Sequence, residues 1–219
     1  MKPLNLKTHE VQAVLSGEKT MHRVVIKPQP SWGVTGFRGS LFVKSGLEDG
    51  HGREMKPPFN PGDILYVKET WTPIDTEIKD STDMDLDGIP LDEYWVQIGF
   101  KDGGDKWVTV SDRFYDRMDD FIDEMEESGT RWKSPSTMPN GAARIFLRVK
   151  SVKAQRLQDI APDDIRKEGK PNSAYALDSS CHQWWKELWS FIHGKESWNA
   201  NPWVWVIEFE RVDKTEVDK

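Results

Sequence analysis

Cysteine is almost absent from this sequence: Cys181 is the single one among 219 residues. No internal disulfide and no CxxC metal site can form from it. Long apolar runs are absent too, with none near the roughly 20 residues that span a bilayer. The N-terminal stretch MKPLNLKTHE has no apolar h-region of a secretory signal. These absences predict a cytoplasmic protein that makes no membrane contact. The five histidines, His9, His22, His51, His182 and His193, show no metal-ligand spacing. No P-loop, GxGxxG after a strand, GxSxG or HExxH occurs either. Neither a metal nor a cofactor is therefore expected.

What is present points to a folded globular chain, with 37% hydrophobic and 31% charged residues. Eleven tryptophans must be buried or used as flat contact surfaces. A net charge of −7 argues against nonspecific nucleic-acid binding, but the charge is segregated. Residues 101–127 hold ten acidic and four basic side chains, whereas residues 131–170 hold ten basic and four acidic. The basic segment is a candidate surface for phosphates. The acidic run 112–127 reads first as a solvated helix face. It also suits a cover over a basic cleft, or a nucleic-acid mimic that engages a protein partner.

The spacing predicts a strand at PLNLK and a helix capped by Thr8, with Val11, Val14 and Leu15 on one face. Gly17 suits the position after that helix. MHRVVIK is a strand ending before Pro28. A Gly- and Pro-rich insertion follows, with a hairpin at GFRGSLFVKSG. In NPGDILYVKETW, Leu65, Val67 and Glu69 alternate with Ile64, Tyr66 and Lys68. Residues 72–92, acidic and without periodicity, read as a loop. YWVQIGF and KWVTV form a hairpin, and DRFYDRMDDFIDEMEE a helix. AARIFLRVKSVKAQRL is a strand whose phase slips near Ser151, as at a bulge. APDDIRKEG and SSCHQWWKELWSFIHG are helices, and PWVWVIEFERV is a last strand. Trp184, Trp185, Trp189, Trp203 and Trp205 are assigned to the core. The order gives an α+β fold around a mostly antiparallel sheet. It forms one domain over 1–212, with insertions at about 28–60 and 72–130 and a disordered tail at 213–219.

The segments VLSGEKTMHRVVIKPQP, FNPGDILYVKETW, RWKSPSTMPNGAARIFLRVKSVKAQRLQDIAPDDIRKEG and NPWVWVIEFERV, in this order, resemble the ASCH family of the PUA-like superfamily. The likeness is to its long phage and prophage members. It implies a small β-barrel with flanking helices, and a cleft that receives RNA or a modified nucleotide. Some compact members are N4-acetylcytidine amidohydrolases or ribonucleases. The amidohydrolase type carries a lysine two places after the helix-ending glycine, matched by Lys19, and a glutamate matched by Glu168. Its threonine nucleophile is replaced by His22, and Val24 stands at its arginine position, with Arg23 displaced by one.

Lys19, His22 and Glu168 are thus the candidate catalytic residues of a metal-independent hydrolase. A lysine oriented by a carboxylate and an imidazole that titrates near neutrality suit proton transfer. A plainer role for all three is structural. For nucleic-acid binding, Arg23, Lys133, Arg144, Arg148 and Lys150 are candidate phosphate contacts. Trp71 and Trp132 are candidate stacking faces, although a Trp at a strand end is more often core, and Ser136 and Asn140 in KSPSTMPNG are candidate base-edge readers unless that loop merely seals the fold. RNA or nucleotide binding is the leading expectation. Hydrolysis and host-protein binding through the acidic helix are the alternatives.

Overall fold

A computed structural model of the chain describes residues 1–29, 55–84, 90–169 and 178–217. It opens with strand β1 (Lys2–Asn5), helix α1 (Thr8–Leu15) and strand β2 (Met21–Val25), the order predicted. The hairpin expected at GFRGSLFVKSG lies outside the described residues. Then come β3 (Ile64–Lys68), β4 (Trp71–Met84), β5 (Pro90–Phe100), β6 (Asp105–Val110) and α2 (Asp112–Ser128). The chain continues through β7 (Phe146–Arg156), α3 (Pro162–Lys167), α4 (Asp178–His193), α5 (Lys195–Asn199), β8 (Trp203–Val212) and α6 (Lys214–Val217). The loop expected at 72–92 is instead most of β4 and the start of β5: main-chain pairing with a neighbour builds strand where side-chain periodicity does not announce it. Helix α6 likewise replaces part of the expected disordered tail.

The chain divides into two compact units. The first holds Met1–Lys2, Ala13–Leu65 and Phe146–Lys219, the second Pro3–Gln12 and Tyr66–Ile145. In the first unit β8 pairs antiparallel with β7 on one side and β2 on the other. A strand so flanked has both edges paired, and because Val204, Trp205, Val206 and Ile207 are all buried instead of alternating, both of its faces are covered as well. The β7–β8 register shifts between Val149 and Ser151, where the phase slip predicts a bulge. One sheet face, through Met21, Val204 and Val206, packs with Ile165 of α3 and with Cys181, Trp185 and Trp189 of α4. Burial of each such side chain contributes about 1.5–3 kcal/mol, so this core can offset the cost of a polar group enclosed beside it.

In the second unit β4, β5 and β6 form an antiparallel meander in that order. Its ladder is irregular between Pro73 and Asp75, as a residue without an N–H donor makes it. Helix α2 lies on β4 and β5 with Met118 buried, and Gly129 closes it at φ 81°. Barrel closure needs outer strands that pair with each other. Among the described residues β2 pairs only with β8, and β4 and β6 only with β5, so the expected barrel is not closed. The α+β class holds, with helices flanking two open sheets. No helix of the described residues is long and apolar enough to cross a membrane.

Candidate functional site

The short connection GEKTMHR sets up the densest polar cluster of the first unit. Gly17, at φ 79°, turns the chain out of α1 in a conformation that favours glycine. Lys19 N then donates to Ala13 O at 2.8 Å, and Thr20 N to Lys167 O at 2.8 Å. These bonds lay Lys19 antiparallel against Glu168, the residue that ends α3. Lys19 Nζ donates to Glu168 Oε2 at 2.7 Å and to the Glu168 carbonyl at 3.2 Å. Arg23 Nη1 takes the other carboxylate oxygen at 2.6 Å. Its Nη2 reaches Gln155 Oε1 at 3.3 Å and Asp164 Oδ2 at 3.4 Å. Lys153 stands 3.5 Å from the same Asp164 oxygen.

The side chains of Lys19, Arg23 and Glu168 are each no more than 2% exposed. Counting Lys153 and Asp164, the cluster has one more cation than carboxylate. Such a buried ion network rarely stabilises a fold better than apolar packing would. Its Arg23 stands 5.7 Å from the ring of Trp185. Among the described residues, Arg23 Nε and Trp185 Nε1 are buried without a hydrogen-bond partner. Two N–H donors therefore stand at the cluster with no acceptor, an arrangement that disfavours folding unless an acceptor joins them.

His22 is not part of this arrangement. Alternate residues of β2 share a face, so Met21 and Arg23 turn to the cluster side and His22, paired with Ile207, turns to the other. Of the expected Lys19, His22 and Glu168, the structure brings Lys19 and Glu168 together, with Arg23 and without His22. Arg23 is an interior ion-pair partner, not a surface phosphate contact. Arg148, half-buried, and Lys150, exposed, also of the first unit, lie beside acidic neighbours. Arg148 donates to Glu210 at 3.2 Å and Glu216 at 3.1 Å, bonds that raise its pKa, and Lys150 stands 3.8 Å from Glu210.

The remaining candidates lie in the second unit. Trp71 is 1% exposed, its Nε1 donating to Thr137 and its ring stacked on Phe114 at 6.3 Å, so it is core and not a stacking face. Trp132 is 41% exposed, with Lys101 Nζ 5.8 Å from the centre of its ring. Ser136 and Asn140 are exposed on two short 3-10 turns, Pro135–Thr137 and Asn140–Ala142. Lys133 is half-buried over Phe121. Arg144 is a clamp: it grips Glu69 with two bonds, 3.1 and 2.7 Å, and donates to Asp102 and to Gly103 O while lying over Phe100. Burial pushes the Glu69 carboxyl above its ordinary pKa, against the pull of Arg144. These bonds occupy the guanidinium expected to meet phosphate.

Sequence reasoning missed Asp164, Gln155 and Trp185 as members of the first cluster, and Asp102 as a partner of Arg144. A signal for Glu69 was available, since it is in phase with Leu65 and Val67, both fully buried. A carboxylate in phase with core residues needs a cation. Among the described residues no three His, Cys, Asp or Glu side chains gather to hold a metal ion. The outer face of α2 presents exposed carboxylates, Asp116, Asp120, Asp123 and Glu127 among them. No protein family, curated protein or solved structure matches the chain.

Proposed function

We propose that the chain is an ASCH-type protein of the PUA-like superfamily that binds RNA or a modified nucleotide at the Lys19, Arg23 and Glu168 cluster. The observation that carries this reading is the pair of buried, unpartnered donors Arg23 Nε and Trp185 Nε1 beside a network with excess positive charge. A nucleobase carbonyl, a ring nitrogen or an N-acyl oxygen supplies the acceptor those donors lack. Glu168, itself held by Lys19, fixes Arg23 in advance, and core packing fixes Trp185, so little ordering is left for binding.

Calorimetric titration of the full chain with cytidine, N4-acetylcytidine and short RNA tests this. Saturable binding that Trp185→Phe weakens about fivefold, the worth of one lost neutral hydrogen bond, is the expected result. Absence of binding by all three ligands, or indifference to Trp185→Phe, overturns it. A second reading, hydrolysis of the acyl or phosphodiester bond, is favoured by the 2.7 Å contact of Lys19 with Glu168, a lysine oriented by a carboxylate. Product formation by wild type that is lost in Lys19→Met but kept in His22→Ala would assign it.

A further inference from the structure

Three cations of the second unit gather over one set of aromatic rings, and among the described residues a single carboxylate ion-pairs with them. The segment after α2 is extended and tied to the start of β4: Lys133 N donates to Trp71 O at 2.7 Å, and Thr72 Oγ1 to Arg131 O at 3.0 Å. Residues two apart on an extended segment share a face. Arg131 and Lys133 accordingly lie over the same ring, Phe121, at 4.8 and 3.5 Å from its centre. Arg117 of α2 lies over the neighbouring Phe114 at 5.5 Å. Glu124 ion-pairs with Arg131. No carboxylate pairs with Arg117 or Lys133 among the described residues.

This arrangement works against the stability of the fold. Burial pushes the Lys133 ammonium below its ordinary pKa, and the charges of Arg131 and Arg117 push it further, with Glu124 alone opposing. Ring faces ease the cost of cations but use few of their N–H donors. Like charges brought together at the expense of stability mark a site for a ligand of opposite sign. A lone carboxylate is satisfied by one arginine fork, whereas three cations suit an oxyanion of higher charge with more acceptors.

We propose that Arg117, Arg131 and Lys133 form an oxyanion site whose ligand is a phosphate group, either free or carried on a nucleic-acid strand. The site is independent of the Lys19, Arg23 and Glu168 cluster. Exposed Asp116, Asp120 and Asp123 of α2 disfavour a long polyanion at low salt, and salt screens them beyond about 10 Å.

Titration of the full chain with inorganic phosphate, pyrophosphate and a short oligothymidylate tests the proposal. Saturable binding of at least one is expected, weakened about tenfold in Lys133→Gln and in Arg117→Gln. The unliganded Lys133→Gln protein should unfold at the wild-type temperature or above it, because like-charge crowding is relieved. Pyrophosphate binding without oligothymidylate binding identifies a free phosphate as the source. Oligothymidylate binding that pyrophosphate displaces identifies the strand. No saturable binding by wild type overturns the proposal. So does unchanged affinity in Arg117→Gln, which replaces an exposed side chain and keeps the fold. A Lys133→Gln protein that is destabilised yet binds phosphate as wild type does would make the cluster cation–ring packing alone.

Discussion

Glu168 in the first unit and Glu69 in the second are both buried carboxylates held by an arginine. Around Glu69 the accounts close: Arg144 meets it with two bonds, turns two more donors to Asp102 and Gly103, and is itself a quarter exposed, so its last N–H can meet water. Around Glu168 they do not. Two buried cations share one carboxylate, and Arg23 Nε and Trp185 Nε1 are left over. A saturated buried pair does the work of a tie, fixing where segments meet. An unsaturated one costs stability that the rest of the fold must offset, and that difference is why the first cluster, and not the second, is read as a site.

Substitution should widen the contrast. Glu168→Gln leaves Lys19 and Arg23 enclosed with Asp164 as the nearest countercharge, and should lower stability by about 3–5 kcal/mol in urea unfolding. Arg144→Met strands Glu69 as well, but the arginine is a quarter exposed, so water can reach the site it leaves. Its loss should be smaller, about 1–3 kcal/mol. Equal losses would mean that the two clusters are equally closed, and the reading of the first as a site would lose its basis.

How far the sequence foretold this depends on which physical signal each feature emits. Period and caps announced α1, β2, the β5–β6 hairpin, α2 and the bulge near Ser151, because each is decided by local side chains. Residues 72–92 gave no such signal, since β4 is held by backbone bonds to β5. The meeting of Lys19 with Glu168 came only from the family resemblance, as no local pattern relates residues 149 positions apart. His22 was misplaced because matching positions to a motif ignores strand parity, which decides the face. Trp71 is in phase with Leu65, Val67 and Glu69, which favours the core reading of that ring, whereas the phase of Arg144 with Arg148 and Lys150 gives no sign of its clamp on Glu69.

A finer test lies in two glycines of the first unit. Gly17 and Gly169 both have positive φ, 79° and 95°. An alanine in that conformation costs about 1–2 kcal/mol. A Cβ at Gly17 would meet nothing within 4 Å, but one at Gly169 would stand 2.9 Å from the Ala13 Cβ and 3.3 Å from the Lys19 Cβ. Gly17→Ala should therefore show the backbone cost alone, about 1 kcal/mol. Gly169→Ala should show that cost plus overpacking, about 2–3 kcal/mol, and should also change ligand affinity by displacing Lys19. Thermal unfolding and titration of the two variants check this. Similar results for both would mean that Lys19 is not held in place by its backbone.

The smallest effect has opposite signs in the two units and is read by pH. Burial raises the Glu69 carboxyl above 4.5, so its contribution to stability is complete below 4.5 and is lost as pH rises through its folded value. Glu208 in the first unit is lowered below 4.5, first by its bond from Lys167, so its contribution is complete above 4.5 and is lost as pH falls through its folded value. Acidification through this range should weaken the amides around Glu208 on β8 while those next to Glu69 hold or gain. Hydrogen exchange, corrected for the intrinsic rate at each pH, separates the two. Glu69→Gln should remove the pH response in the second unit alone, and Lys167→Ala should flatten the response near Glu208. A parallel loss of protection in both units, unaltered by Glu69→Gln, would show that Glu69 is no more costly to charge in the fold than in water, and the contrast between the two buried carboxylates would rest on Glu168 alone.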